Sequence, residues 1–249
     1  MEYKGKIIYQ PSGKAKEYAE WACNFYVGCS NNCTYCYLKK GIGKAVLGGD
    51  KPKLKKGLDE NKAMDIFDKE FSKNLDSLKE HGLFLSFSTD PMLKETEDLT
   101  WYAIFKCVRN GVHVHILTKR TEWIKGFLYM LNMNSDNMED KELREYCHFG
   151  FSITGNPELE PNASSEFDRI ANLLILKELG FKTFVSFEPL IHFDRAKKLI
   201  PIIAKYCNEI KIGLLAGGKY KKEDVIEFTE WLKTIDINII LKQSIKKYL

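Results

Sequence analysis

Three thiols, Cys29, Cys33 and Cys36, lie within Gly28-Cys29-Ser30-Asn31-Asn32-Cys33-Thr34-Tyr35-Cys36-Tyr37, separated by three and then two residues. Compact loops of this kind house iron–sulfur clusters, and a cuboidal 4Fe-4S cluster normally takes four thiolates. A loop that offers three leaves one iron open to a small molecule, as an open catalytic metal site keeps one position free. A structural zinc is the competing use of the same thiols. Such zinc sites usually pair two ligand couples, and no second couple follows here, so His81 or another distant residue would have to complete the set.

The rest of the chain must position that loop. Its 249 residues, 44% hydrophobic and 29% charged, suit one buried core spanning 1–249. The apolar runs are too short to cross a bilayer. The start, Met1-Glu2-Tyr3-Lys4-Gly5-Lys6, carries no apolar leader. The count of seven cysteines is odd, and Cys23, Cys107, Cys147 and Cys207 are scattered as small buried hydrophobes, so no disulfide framework is expected. These features fit a reducing, cytoplasmic setting. A net charge of +4 does not by itself demand a polyanionic partner.

Strands are expected at Ala22–Tyr26, Leu83–Ser88, His113–Leu117, Phe149–Ile153, Thr183–Phe187, Glu209–Leu215 and Ile237–Leu241, from their β-branched and aromatic content. Amphipathic helices alternate with them. The clearest puts Met64, Phe67, Phe71, Leu75 and Leu78 on one stripe and stops at Gly82. Others run from Thr100 to Asn110 and after Thr121, Ser165, Asp194 and Lys222, with Asp168 three residues beyond Ser165 as a capping pair and Pro201 set to kink or delay the helix after Asp194. The alternation predicts an α/β fold, a parallel sheet with crossover helices, open or closed into a barrel. One stretch, 38–57, breaks the rhythm with seven lysines, five glycines and a lone Asp50. It reads as a solvated surface loop, or as a flap that contacts phosphates near the cysteines.

In a parallel barrel the chemistry sits at the C-terminal strand ends. Side-chain parity aligns Ser86, Ser88 and Asp90 on one face; His113, His115, Leu117 and Lys119 on another; then Gly150, Ser152 and Thr154; Phe184, Ser186 and Glu188; and Ile240 with Lys242. Lining a purely structural interior with such groups is costly, so they suggest a ligand cavity. His115, Glu188 and Lys242 are the candidate substrate contacts. His113-Val114-His115 reads first as a core and rim pair rather than a metal site, and Gly41-Ile42-Gly43 lacks the rest of a dinucleotide fingerprint.

The thiol spacing, with an aromatic residue before the last cysteine, resembles the signature of the radical S-adenosylmethionine (radical SAM) superfamily. Asn24-Phe25-Tyr26-Val27-Gly28-Cys29, Tyr35-Cys36-Tyr37, Ser88-Thr89-Asp90-Pro91 and Leu117-Thr118-Lys119 are similar to its spore photoproduct lyase-like branch and related phage-type enzymes, from Asn24 to Ser152. The resemblance implies a partial or nearly closed (β/α) barrel with outer helices and a 4Fe-4S cluster on Cys29, Cys33 and Cys36. It implies S-adenosylmethionine chelated at the open iron and cleaved reductively to a hydrogen-abstracting 5′-deoxyadenosyl radical. An electron donor such as flavodoxin or ferredoxin would be the partner, and nucleic acid is a candidate substrate, with the 38–57 lysines in support. It also implies cofactor contacts at Ser88 or Thr89, Lys119 and Ser152; by chemistry Lys119 suits the methionyl carboxylate, Asp90 the amine, and Ser152 or Thr154 the ribose. Tyr35 would lie over the adenine, with the backbone of Gly213 and Leu214 at its edge. The chain departs from the branch at one position. It has Ser86 and Phe87 where spore photoproduct lyases carry a hydrogen-donating cysteine. It also lacks the glycine pair that superfamily members usually carry after the second strand, and no second cysteine cluster follows for auxiliary centres.

Overall fold

The structure, a computed structural model, describes residues 3, 5–41, 43–133 and 138–249. Met1, Glu2 and Lys4 of the chain start and Ile42 of the Gly41-Ile42-Gly43 fragment lie outside them. The chain runs β1 (Ile8–Tyr9), β2 (Ala22–Cys23), β3 (Tyr26–Val27), α1 (Lys44–Leu47), β4 (Lys53–Leu54), α2 (Glu60–Lys73), α3 (Leu75–His81) and β5 (Leu83–Leu85). It continues through α4 (Glu97–Val108), β6 (Val114–Thr118), α5 (Trp123–Met133), α6 (Met138–Tyr146), β7 (Cys147–Ser152), α7 (Glu166–Glu178) and β8 (Lys182–Leu190). The last elements are α8 (Phe193–Ile203), β9 (Glu209–Leu214), α9 (Lys222–Leu232), β10 (Asn238–Leu241) and α10 (Gln243–Lys246).

Eight strands form one sheet in the order β1-β2-β5-β6-β7-β8-β9-β10. Only the β1–β2 pair is antiparallel; from β2 to β10 every neighbour is parallel. The sheet curls into a partial barrel with helices outside, as strand–helix alternation requires when parallel neighbours need a crossover. Val114 and Ile116 of β6 are fully buried toward the helices, while His115 and Leu117 between them are half-buried. Beneath the helices Trp123 stacks on Phe149 at 5.1 Å and Trp101 on Phe127 at 5.2 Å.

Several boundaries differ from those expected, each for a local reason. The 22–26 strand splits at Asn24, whose side chain leaves the ladder: Nδ2 donates to Tyr9 Oη at 2.7 Å and Oδ1 accepts from Phe87 N at 2.8 Å. That second bond also ends β5 at Leu85, so the parity expected through Ser86, Ser88 and Asp90 does not persist. The stripe from Met64 to Leu78 breaks into α2 and α3 at Asn74, which turns its amide onto the Glu70 carbonyl at 2.7 Å. Ser165 caps α7 as expected, accepting from Asp168 N at 3.0 Å. Pro201 sits in the last turn of α8, where the helix forgoes a single N–H bond and continues to Ile203.

The 38–57 stretch is not a free loop. It holds α1 and β4, and β4 pairs antiparallel with β3 through Tyr26↔Leu54 and Val27↔Lys53, so the lysine-rich segment backs the cysteine loop. Across the seam between edge strands β1 and β10, a short 3-10 turn (Gly13–Glu17) bridges instead. Glu17 accepts from Gln243 N at 2.8 Å, and Tyr18 drops into the barrel against Phe84 (5.3 Å) and Phe87 (5.9 Å).

The first residues of β6 and β7 bring three imidazoles together: His148 lies 4.4 Å from His115 and 5.2 Å from His113, between ring centroids. His113 Nδ1 and His148 Nε2 are buried without a hydrogen-bond partner. Burial, reinforced by neighbouring imidazoles and lysines, pushes His115 down to about 3 and His148 to about 4. The unfolded chain takes up protons near 6.5 while the folded rings stay neutral, so this contribution is complete above pH 6.5 and is lost as pH falls toward 4. Urea midpoints are expected to drop across that window, and His148→Phe is expected to flatten the drop; an unchanged slope in the variant would show that the imidazoles are not the titrating groups.

Candidate active site at the cysteine loop

Gly28 starts the loop in the left-handed region (φ 85°), where a Cβ would stand 2.5 Å from the Lys51 carbonyl oxygen. Only glycine allows that approach, and the next residue uses it, with Cys29 N donating to Gly49 O at 2.9 Å. The lysine hairpin thus braces the outer side of the loop. On the inner side the loop is tied to the strand ends by buried polar groups.

Asp90 is the first tie. Its Oδ2 accepts from Asn31 Nδ2 at 2.7 Å and Lys119 N at 2.8 Å; its Oδ1 accepts from Thr118 Oγ1 at 2.6 Å and Met92 N at 3.0 Å. The residue is 7% exposed. These four bonds join the cysteine loop, the turn after β5 and the end of β6 through the carboxylate expected to face a cofactor amine. Asn31 also accepts from Arg120 Nη1 at 3.3 Å, and Arg120 donates to Asn162 O.

Glu160 is the second tie, and nothing in the sequence singled it out. It follows the 3-10 turn Pro157–Leu159, whose Leu159 carbonyl accepts from Thr34 N at 3.0 Å. The Glu160 side chain is fully buried; Oε2 meets Arg169 Nη2 at 2.6 Å, and Oε1 accepts from the Tyr35 hydroxyl and lies 3.8 Å from Lys119 Nζ. Arg169 also donates to Ser152 O at 2.5 Å. Lys119 is 15% exposed and sits 5.8 Å over the Tyr35 ring. The Tyr35 ring, expected to face an adenine, thus lies beneath Lys119.

The expected hydroxyls divide. Ser88 donates to Tyr26 O at 2.5 Å and is committed to the hairpin, whereas Thr89 Oγ1 is buried with no partner. Ser152, at the end of β7, is 6% exposed, and its hydroxyl makes no hydrogen bond among the described residues. Thr154 is a turn residue, its Oγ1 accepting from Asn156 N at 3.1 Å. At Gly213 a Cβ would stand 2.6 Å from Glu188 Oε1 and 3.0 Å from Lys242 Cδ, and Leu214 N donates to Ser244 Oγ.

The structure brings Glu188 and Lys242 together, though with each other. Glu188 Oε2 accepts from Lys242 at 2.6 Å and from Tyr18 Oη at 2.7 Å, and the Lys242 ammonium stands 3.0 Å over the Tyr18 ring. Burial lowers the Lys242 pKa while Glu188 opposes the shift. His115 packs instead against His148 at 4.4 Å and Phe184 at 6.3 Å, between ring centroids.

The thiols sit in contrasting surroundings. Burial and the Asp90 charge push Cys29 up to about 12, opposed by the backbone N–H groups of Asn31 and Asp90. Burial also raises Cys33, opposed mainly by Lys119. Metal ions reverse this preference by binding the thiolate, so loading releases protons. Among the described residues no three His, Cys, Asp or Glu side chains could share one metal ion. Three sulfurs on one zinc would stand about 3.8 Å apart, given ~2.3 Å bonds in a tetrahedron.

Compared with solved structures, the chain superposes on spore photoproduct lyase complexed with dinucleoside spore photoproduct at TM-score 0.63, with 14% identity, over 93% of this chain and 78% of that one. The fold is that of spore photoproduct lyase. A cysteine-to-alanine mutant of the lyase gives TM-score 0.65 at 15% identity over 92% of this chain and 78% of that one. A double mutant with bound AdoMet and dinucleoside spore photoproduct gives 0.61 at 14% over the same shares. No family profile matches the chain, and no curated protein matches it either. The likeness to the lyase seen in the motifs from Asn24 to Ser152 thus extends to the partial barrel as a whole. No helix of the described residues is long and apolar enough to cross a membrane.

Asp90→Ala is expected to lower unfolding stability by about 3 kcal/mol, the scale of hydrogen bonds to a buried charge, and to reduce iron bound per chain. A loss of S-adenosylmethionine affinity with stability and iron content intact would instead return Asp90 to the role of amine acceptor.

Proposed function

We propose that the chain is a radical SAM enzyme, with Cys29, Cys33 and Cys36 holding a 4Fe-4S cluster and the single barrel unit 1–249 holding S-adenosylmethionine. When bound, the pair supplies a low-potential electron to the sulfonium and so a 5′-deoxyadenosyl radical that abstracts hydrogen. The observation that carries this reading is the company of the thiols. Around them, at the ends of three adjacent strands, stand a buried hydroxyl with no partner (Thr89), a second uncommitted hydroxyl (Ser152) and a nearly buried amine (Lys119). These donors fit the polar end of an amino-acid-bearing nucleoside. Lys119 would pair with its carboxylate, Thr89 would accept from its amine, and Ser152 would meet a ribose hydroxyl.

Nucleic acid is the substrate class this reading favours, supported by the dinucleoside in the lyase complexes and by the lysine hairpin. Seven lysines against Asp50 give the 38–57 stretch a charge of +6, against +4 for the whole chain, so positive charge is concentrated beside the cysteine loop. Of these, Lys40, Lys44, Lys51, Lys53 and Lys56 are exposed. The chemistry after hydrogen abstraction would differ from a thiol-quenched repair: Ser86 donates to Thr89 O at 2.8 Å in place of a cysteine, and the thiols outside the loop are buried in the core.

Anaerobic reconstitution with iron and sulfide followed by reduction is expected to give 5′-deoxyadenosine from S-adenosylmethionine, and Cys33→Ala to abolish it. Stoichiometric zinc with no cofactor cleavage would overturn the reading in favour of a non-catalytic metal protein. Lys119→Ala is expected to weaken S-adenosylmethionine binding at least tenfold, about 1.4 kcal/mol, in equilibrium dialysis. Binding of single-stranded DNA or RNA is expected to fall steeply with salt, each phosphate contact adding about 0.7 to the slope of log K against log salt; a flat slope would point to a small-molecule or peptide substrate.

A further inference from the structure

The Glu160 carboxylate is surrounded by groups that face the cysteine loop. Its side chain has no solvent exposure, Arg169 (1% exposed) neutralises one oxygen at 2.6 Å, and the other is shared by the Tyr35 hydroxyl and Lys119. Tyr35 stands two residues from Cys33 and one from Cys36, and its hydroxyl is held by Glu160. A phenol has one proton to donate. Glu160 takes it, so the Tyr35 hydroxyl is turned toward the carboxylate.

A buried charge in a poorly screened site acts at long range, and iron–sulfur potentials respond to net charge, to hydrogen bonds on the sulfurs and to solvent exposure. Around Cys33 the fold has placed one negative charge, two positive charges and a hydroxyl whose direction Glu160 decides. A pair kept only to close the core would not need Lys119 or Tyr35. Replacing such pairs with apolar residues is often neutral or stabilising.

Resting on Cys33 as a cluster ligand, we propose that Glu160 is a positioning residue that sets the reduction potential of the cluster. It holds the Tyr35 hydroxyl toward itself and keeps Lys119 beside the loop. Its negative charge and its claim on the tyrosine both disfavour the extra electron, so Glu160 lowers the potential and Lys119 raises it.

The test is spectroelectrochemistry of the reconstituted full-length protein without S-adenosylmethionine, with the iron content of each variant measured alongside. Glu160→Gln keeps the shape and removes the charge. At a fixed applied potential it is expected to raise the ratio of reduced to oxidised cluster at least tenfold, equal to 59 mV for one electron. Lys119→Met leaves the Glu160–Arg169 pair in place and is expected to shift the ratio the opposite way. Adding Tyr35→Phe to Glu160→Gln is expected to reverse part of the rise, because the freed hydroxyl is then gone. Should Glu160→Gln fail to load iron, Lys119→Met carries the test alone. Potentials that do not move in iron-replete variants would overturn the inference while leaving the proposed function standing. A wild-type protein that takes up no 4Fe-4S cluster would sink that function first.

Discussion

Two buried carboxylates, each shared between the cysteine loop and the strand ends, hold the candidate site together. A loop that must leave its sulfur atoms open cannot be anchored mainly by apolar burial, because covering the thiols would close the site. The alternative is a small number of saturated, charge-assisted hydrogen bonds. Asp90 supplies four, reaching Asn31 on the loop, Thr118 at the end of β6 and Lys119 just after it. Glu160 reaches Tyr35 on the loop, Lys119 after β6 and Arg169 on α7. Such networks add less stability than their short distances suggest, since each charge loses its hydration, but they specify position strictly.

That anchoring makes the loop two-sided. Its inner face meets the strand ends, where the uncommitted hydroxyls of Thr89 and Ser152 stand. Its outer face rests on the backbone of the lysine hairpin, with Gly49 accepting from Cys29 and the Lys51 carbonyl packed against Gly28. The lysine side chains are therefore free to project from a segment whose backbone is structural. A charged stretch can serve as both brace and electrostatic face because the two roles use different atoms.

The barrel interior below the site is filled rather than hollow. Tyr18, carried in by the 3-10 turn across the open seam, joins Ser186, Glu188 and Lys242 in a closed set of hydrogen bonds. Phe84 and Phe87 stack beside it at 4.6 Å. Glu188 and Lys242 satisfy one another before any ligand arrives, so the uncommitted polar groups lie at the strand ends nearer the thiols. Burial, with neighbouring imidazoles and Lys182, favours the neutral form of His115 and His148 at the far end of β6 and β7.

Local chemistry was legible in the chain: thiols spaced within one loop, β-branched bursts at regular intervals, Ser165 ahead of Asp168, and a polar residue after each of three strands. Each signal acts over a few residues, through ligand spacing, side-chain alternation or a cap, so it can be read without knowing what packs against it. The partners of those residues could not be read. Whether Asp90 serves a ligand or the fold depended on Asn31 and Thr118 arriving from segments 59 and 28 positions away. Glu160 became part of the site only because a turn after β7 docks on the loop after β3. Tyr18 entered the barrel only because the sheet stays open between β1 and β10. Burial and hydrogen-bond saturation are properties of a neighbourhood assembled from distant segments, and a string of residues does not contain its neighbourhoods until it has folded.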